Sequence, residues 1–530
     1  MSFDFCFLLS AFCFVLPISA FCFLLSAFVM NIPFYKPSIG EDEIAEVVDT
    51  LRSGWLTTGP KVKQFEQAFA EYLGQRHAVA VNSCTAALHL ALEAIGLKAG
   101  QGVVVPTMTF AATAEVVRYF GARPILADCR TEDFNLDVAD AERRIQEALR
   151  QGIEVKAIVP MHYGGQIGDV AGVAALARRH KLKVIEDAAH CCPAFYREKA
   201  ERVGEKQKVE SRKQKLEDHR WTQMDTDGDE GRQPGEMKGK FHGPGKAERE
   251  DKAESRKQKA EMGNHSQPST IHHQLTVNSQ LSTINYAANG WKPAGTGADI
   301  SCYSFYANKT ITTGEGGMAC TANDEYADRM RIMSLHGISR DAWKRYTGEG
   351  TWYYEIIAPG FKYNLTDIAA AIGLHQVRKA NAFHARRTEL ALQYTRSLRE
   401  VEEVIVPRVQ PDRIHSWHLY CIRLRVDRLR IDRAQFIAEL KQLGIGTSVH
   451  WLPLHMHPYY RETYGYRPND FPAAAALYPQ LVTLPLYPDM SEDDVRRVCE
   501  GIKQIVKAHK TKQKVESRKQ KCHTGVTDET

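Results

Sequence analysis

From residue 34 to residue 195 two apolar patterns alternate, and that alternation restricts the fold more than any other feature. Short apolar runs at 77–81, 103–105, 124–126, 157–159 and 184–185 have the length of strands. Between them lie stretches with apolar residues at helical spacing, among them 86–95 and 170–179. Strands that alternate with helices imply a mostly parallel sheet covered on both faces. In such a sheet ligands bind at the carboxyl ends of the strands.

The pattern stops at about residue 197. Residues 197–292 are dense in Lys, Arg, Glu, Asp, Gln, Ser and His with few aliphatics. That composition buries too little apolar surface to offset ordering entropy, so a disordered insertion is expected. Its charges nearly cancel, which argues against a basic arm for nucleic acid. Asp225-Thr226-Asp227-Gly228-Asp229, with Glu236, nearly spells a calcium loop. Glu230 stands where the sharp turn needs glycine, and no apolar helices flank it, so no metal site is expected.

From residue 294 the α/β character returns. Helical stretches at 382–401, 433–443 and 493–506, with strand-like runs at 419–426 and 447–451, suggest a smaller α+β domain. The expected organisation is an apolar extension at 1–29 and a large domain split into 30–196 and 293–380 by the 197–292 insertion. A small domain at 381–508 and a charged tail at 509–530 complete it.

The extension is uncharged between residues 5 and 30 and long enough for a membrane span or signal peptide, but no Lys or Arg precedes it. It is also repetitive: the string C-F-L-L-S-A-F starts at Cys6 and again at Cys22. Another string, E-S-R-K-Q-K, starts at Glu210, Glu254 and Glu516. The genetic code connects them, because the DNA unit GAAAGCA in tandem encodes E-S-R-K-Q-K-A and its reverse complement encodes C-F-L-L-S-A-F. One DNA repeat family in both orientations explains both strings, and Met30 is then the expected functional start. A net charge of +5 over 530 residues calls for neither nucleic acid nor membrane. Twelve cysteines without a CxxC pair suit a reduced, cytoplasmic protein.

Four segments carry chemistry. Asn82-Ser83-Cys84-Thr85-Ala86 is a hydroxyl-rich turn between a strand and a helix, suited to a phosphate, although an ordinary N-cap has the same composition. Pro106-Thr107-Met108-Thr109-Phe110 offers an aromatic face for a flat ring. Glu186-Asp187-Ala188-Ala189-His190 puts a carboxylate at a strand end, where a protonated pyridine nitrogen would neutralise it. Ser304-Phe305-Tyr306-Ala307-Asn308-Lys309 sets a lone lysine among small and apolar residues, which favours a neutral amine; a surface lysine in a hairpin is the plainer alternative. Phosphate turn, aromatic, Asp and Lys in this order are what pyridoxal phosphate requires.

These segments resemble the DegT/StrS family of pyridoxal-phosphate-dependent nucleotide-sugar aminotransferases. The resemblance also rests on S-G-W-L-T-T-G-P from Ser53, G-F-K-Y-N-L-T-D from Gly360, and the W-H-L-Y and V-H-W-L-P-L-H stretches from Trp417 and Val449. It implies the aspartate-aminotransferase fold, fold type I of the pyridoxal-phosphate enzymes. It further implies that Lys309 forms the internal aldimine and Asp187 pairs with the pyridinium nitrogen. Thr85, Ala86 and Ser304 would hold the phosphate, Phe110 would stack on the ring, and His190 would stand near its 3-hydroxyl. Asn364 would reach the phosphate of a neighbouring subunit, making a homodimer with shared active sites. Trp55, Thr57, His450, Trp451 and His455 are candidates for the sugar-nucleotide pocket. The implied activity moves an amino group from glutamate to a nucleotide-linked keto sugar through the pyridoxamine form. A catalytically silent cofactor-binding sensor, disabled by the insertion, is the alternative.

Overall fold

The computed structural model of the protein describes residues 31–198, 290–339 and 354–511. The apolar extension, the calcium-like stretch and nearly all of the insertion and the charged tail lie outside the described residues.

Helices α1 (Glu41–Ser53) and α2 (Pro60–Leu73) precede β1 (His77–Val81). There follow α3 (Cys84–Ala94), β2 (Gly102–Pro106), α4 (Ala112–Arg118), β3 (Arg123–Ala127), α5 (Val138–Arg150), β4 (Val155–Ile158), α6 (Val170–His180) and β5 (Lys183–Asp187). The strict alternation read from the sequence is therefore present. Short strands β6 (Phe195–Tyr196) and β7 (Lys292–Pro293) pair with each other, and β8 (Ile300–Ser304), β9 (Gly317–Thr321) and α7 (Asp324–Ser334) come next.

One seven-stranded sheet runs in the order β1-β9-β8-β5-β4-β2-β3. Only β9 opposes its neighbours; the pairs β8/β5, β5/β4, β4/β2 and β2/β3 are parallel. This is the mostly parallel sheet of fold type I. Strands β2, β8 and β9 are buried throughout, and β2 reads Gly-Val-Val-Val-Pro, a run without the alternation that a half-exposed strand would show. Helix α3 is apolar all round and buried from Ala86 to Leu92, so it packs as an inner layer rather than as a surface helix. The topology puts the carboxyl ends of β1, β2, β5 and β8 on one edge. Ser83, Thr107, Asp187 and Ser304 all lie there.

Helix α8 (Asp367–Leu398) starts 15 residues before the expected 382 and runs unbroken through the 380/381 boundary. Thr366 caps it, accepting from the Ala369 N–H at 3.3 Å, and no proline follows to break it. Its first half buries Ala370, Leu374 and Val377 in the core beneath α2, while Leu390, Tyr394 and Leu398 belong to a second core. The two lobes thus share one rigid rod.

The second core is built on β10 (Val404–Ile405), β12 (Tyr420–Leu424) and β13 (Leu481–Leu484), which form a three-stranded antiparallel sheet. Between β10 and β12, β11 (Arg413–Ile414) pairs with β6. Helices α9 (Arg433–Gln442), α10 (Pro458–Tyr464), α11 (Pro472–Leu477) and α12 (Glu492–His509) follow; α9 and α12 pack in this core, whereas α10 and α11 bury Tyr460 and Leu477 in the core of the large sheet. Each fully buried Phe, Leu or Ile, such as Phe436 and Ile502, contributes about 1.5–3 kcal/mol. Ile32, expected in the large domain, packs here instead, exchanging backbone hydrogen bonds with Gly444 and Gly446. The run at 447–451 forms no strand; Ser448 makes a single bridge to Thr483. With two prolines nearby and two histidines to place, its backbone turns instead toward the strand ends.

Candidate active site

The turn after β1 is organised by Ser83. Its backbone is extended, and its hydroxyl accepts the Ala86 N–H at 3.1 Å. The amides of Cys84 and Thr85, first in the helix, have no acceptor within it and carry the positive end of its dipole. Gly317 makes this turn possible. A Cβ there would lie 2.4 Å from the Ser83 carbonyl, so only glycine lets β9 approach so closely. Ser304 pairs in register with Gly317, which brings its hydroxyl to the same turn.

Asp187 ends β5 and is almost fully buried. Thr113 donates to its Oδ2 at 2.7 Å, and the Ala189 N–H donates to Oδ1 at 3.2 Å. Because Thr113 spends its proton on the carboxylate, the Thr109 hydroxyl, 2.7 Å away, donates to Thr113. Burial raises the Asp187 pKa, and the Thr113 and Ala189 hydrogen bonds and the Lys309 charge oppose it.

Lys309 sits in a loop fastened by threonines. The Thr312 hydroxyl donates to the Phe305 carbonyl at 3.0 Å, and the Thr312 N–H reaches Gln376 at 3.2 Å. The lysine side chain lines a cavity yet is surrounded by dense protein, and burial lowers its pKa to about 8 against the pull of Cys84 and Asp187.

Histidines form another part of the wall. The Gly164 N–H donates to His190 Nδ1 at 3.1 Å, so the neutral ring carries its proton on Nε2. Trp451 stacks on His190 at 5.3 Å, and His418 lies 4.2 Å from it. Burial, reinforced by neighbouring Lys309 and by the other histidines, keeps His190 and His418 well below the usual histidine range. His450 is held at about 4 by burial and pairs with Thr483 Oγ1 at 2.9 Å. All three are neutral at pH 7.

Together these groups enclose a cavity of about 410 Å³ that Ser83, Thr85, Phe110, Asp187, His190, Ser304, Lys309, His418, His450 and Trp451 line. Two buried polar atoms on its walls, Asn308 Oδ1 and His418 Nδ1, have no hydrogen-bond partner among the described residues. An anion-binding turn, the Phe110 face, a buried carboxylate and a partly deprotonated lysine in one cavity fit pyridoxal phosphate.

Ala86 is set behind the wall with its N–H committed to Ser83, so of the three expected phosphate residues only Thr85 and Ser304 face the cavity. His455 departs from its expected place in the sugar pocket. It is fully buried, with Nδ1 2.7 Å from Thr107 Oγ1 and its ring stacked on Phe471 at 4.5 Å, and it does not line the cavity. Its tie to Thr107 makes it a strut beneath the 106–110 segment. Trp55 and Asn364 line a different cavity of about 550 Å³, bounded also by Thr58, Gly59 and Arg331, and Thr57 adjoins it in sequence. Thr113, Thr109 and His418 escaped sequence reasoning as functional groups. Thr113 follows Phe110 by three residues at the start of α4 and carries no motif of its own; His418 stands in the W-H-L-Y stretch.

The pattern of the DegT/DnrJ/EryC1/StrS aminotransferase family matches residues 37–212 and 274–503. The spore coat polysaccharide biosynthesis protein SpsC of Bacillus subtilis is 36% identical over 477 residues, covering 90% of this chain and 97% of SpsC. The uncharacterized protein MJ1066 of Methanocaldococcus jannaschii is 38% identical over 475 residues, with the same two coverages. Among solved structures, the PLP-form of Spr1654, a sugar aminotransferase of Streptococcus pneumoniae, superimposes with a TM-score of 0.67 at 26% identity, covering 90% of this chain and 99% of that one. With family match, fold and cavity in agreement, the chain belongs to the DegT/DnrJ/EryC1/StrS aminotransferase family and is a pyridoxal-phosphate-dependent sugar aminotransferase.

Proposed function

We propose that this enzyme transfers the amino group of glutamate to the ketone carbon of a nucleotide-linked keto sugar, in the cytoplasm, as a homodimer. The observation that carries the reading is the convergence of Lys309 and Asp187 on one cavity beside the Ser83–Thr85 turn. Bound pyridoxal phosphate supplies an electron sink that stabilises the carbanion on the reacting carbon. The Thr85 amide and hydroxyl and the Ser304 hydroxyl would hold its phosphate, and Phe110 would cover the ring. Asp187 would keep a proton on the ring nitrogen, and His190, with its proton on Nε2, would be available to the ring's oxygen substituent. Lys309 Nζ, neutral in a substantial fraction near pH 8, takes the α-proton of glutamate and returns a proton to the sugar carbon that acquires the amine.

Two further observations support the reading. Similarity to SpsC, a polysaccharide biosynthesis protein, favours a sugar acceptor, and Spr1654 is known in both a PLP-form and a PMP-form, the two resting states of an amino-transfer cycle. Trp55 and Asn364 lie outside the Lys309 cavity of their own chain, as they must if they complete the site of an adjoining subunit. His450 and Trp451, which line the same cavity as Lys309, would face the sugar. The test is a panel of nucleotide-linked keto sugars with glutamate, scored by mass spectrometry for the amino sugar and 2-oxoglutarate. Exchange of the amino group between glutamate and keto acids without amination of any sugar in the panel would overturn the substrate assignment.

A further inference from the structure

We propose that Asp367 is a positioning residue for the keto-sugar half of the reaction, its carboxylate locking two distant segments, 55–59 and 362–367, into one unit. The inference rests on the reading that Trp55, Thr57 and Asn364 serve substrate and cofactor.

Helix α2 has no cap of its own: Gly59 stands at the N-cap without a side chain, and Pro60 opens the helix without an N–H. Asp367, 308 residues further along, supplies the cap. Its Oδ1 accepts the Gly59 N–H at 2.7 Å and the Val62 N–H at 3.0 Å, and its Oδ2 accepts the Lys61 N–H at 3.1 Å. Its own N–H donates to the Thr57 carbonyl at 3.1 Å. A carboxylate only 1% exposed, with three backbone donors at a helix N-terminus, is well satisfied without any cationic side chain.

The segments are fastened a second time through Thr58. Its hydroxyl donates to the Leu365 carbonyl at 2.5 Å and accepts from Asn364 Nδ2 at 2.7 Å. The Trp55 indole N–H bonds the Thr58 carbonyl at 3.0 Å. Gly59 is pressed between the two, since a Cβ there would meet the Trp55 indole nitrogen at 1.9 Å and Asp367 Oδ2 at 2.7 Å. The side chains of Trp55 and Asn364 are therefore both tied, through Thr58, to the segments that Asp367 fastens. None of these groups lines the Lys309 cavity of the same chain, so the lock acts through Trp55 and Asn364 and not on that chain's own Lys309 or Asp187.

The experiment uses the Asp367→Asn holoenzyme with cofactor saturating. Asparagine keeps the volume and one acceptor, but sets an NH2 group against the Lys61 N–H. Hydrogen exchange at the amides of Gly59, Lys61 and Val62 should accelerate, while exchange in α3 stays at its wild-type rate. The KM for the keto-sugar nucleotide should rise about 10- to 100-fold, the effect of an ångström-scale misplacement. The single-turnover rate with glutamate alone should hold. Should Asp367→Asn not fold, Thr58→Val cuts the second fastening and carries the same expectation for KM and for the glutamate half-reaction. An unchanged KM, or a glutamate half-reaction that falls in step with it, overturns the proposal. If the wild type aminates no nucleotide-linked keto sugar, the functional reading falls first, before any variant is compared, and the proposal falls with it.

Discussion

The Thr113 hydroxyl donates to Asp187 Oδ2 at 2.7 Å, and that bond couples the cavity's buried carboxylate to the first turn of α4. Thr109 stands behind it at 2.7 Å from Thr113, so the carboxylate ends a chain of two hydroxyls reaching back to the Phe110 segment. Aromatic face and carboxylate are therefore positioned by one network, and such chains strengthen each member.

Thr113→Val should expose this. The hydrogen bond favours the charged form of Asp187 while burial opposes it, so its removal raises the Asp187 pKa further. A hydrogen bond to a charged group is worth about 1.5–3 kcal/mol, which moves the titration by about one unit or more. The acid limb of the kcat/KM profile should shift to higher pH, with the alkaline limb in place. An acid limb that does not move would detach Thr113 from the function of Asp187.

Lys309 carries a cost to stability that the cofactor-free protein should reveal. Its folded pKa of about 8 lies below the ordinary 10.5. Below pH 8 the lysine is charged in both states and the folded state bears the full burial penalty; above 10.5 it is neutral in both and the penalty is gone. Stability of the cofactor-free protein should thus rise between these values so far as Lys309 decides it. Lys309→Met should abolish transamination and, below pH 8, stabilise the cofactor-free protein by at most about 3 kcal/mol. Urea titrations at pH 7 and pH 10 measure both the gain and its disappearance.

His450 and His455, five residues apart, should separate cleanly on mutation. His455→Ala removes the ring nitrogen that pairs with the Thr107 hydroxyl and leaves a gap against Phe471, at a cost of about 2–3 kcal/mol in folding and little change in KM. His450→Ala removes a cavity wall and should raise the KM for the keto sugar with a smaller loss of stability. Thermal melts alongside steady-state kinetics on the two variants would show the reverse if His455 met the substrate.

How much of this was legible in the sequence follows from where the information is stored. Strand β1 coincides with the run at 77–81, and β2 to β5 fall within two residues of expectation, because buried parallel strands need continuous apolar runs. The motif residues were legible for a similar reason: a strand end followed by a hydroxyl, carboxylate or glycine is a local signal. Helix α8 was truncated in the reading because its first half, buried against α2, has small residues such as Ala369, Ala370, Ala371 and Gly373 in place of a strong apolar stripe. The misplaced His455 shows the other limit. V-H-W-L-P-L-H carries two histidines with equal claim on the pocket, and only the fold turns one onto Thr107. Asp367 was invisible as a clasp because its partners are backbone amides, which leave no trace in the sequence.

The last expectation concerns the long connection between β6 and β7. The two strands are antiparallel, with Tyr196 opposite Lys292 and Phe195 opposite Pro293, and Arg197 stacks over the Trp291 ring at 4.4 Å. The chain therefore leaves and re-enters the enzyme at neighbouring points of one hairpin, which β11 extends through Arg413 and Ile414. The family pattern also passes over residues 213–273. Joining Arg197 to Trp291 through Asn-Gly would close that hairpin with a short turn and leave Asp187, His190 and Lys309 on their own elements. Closing a short loop in place of about ninety residues should stabilise the protein by about 2 kcal/mol, since loop-closure entropy grows with the logarithm of length. The shortened enzyme should keep its cofactor absorbance, its rate with glutamate and a melting temperature at or above that of the full chain. Loss of cofactor from the shortened protein would show that the removed residues form part of the catalytic fold.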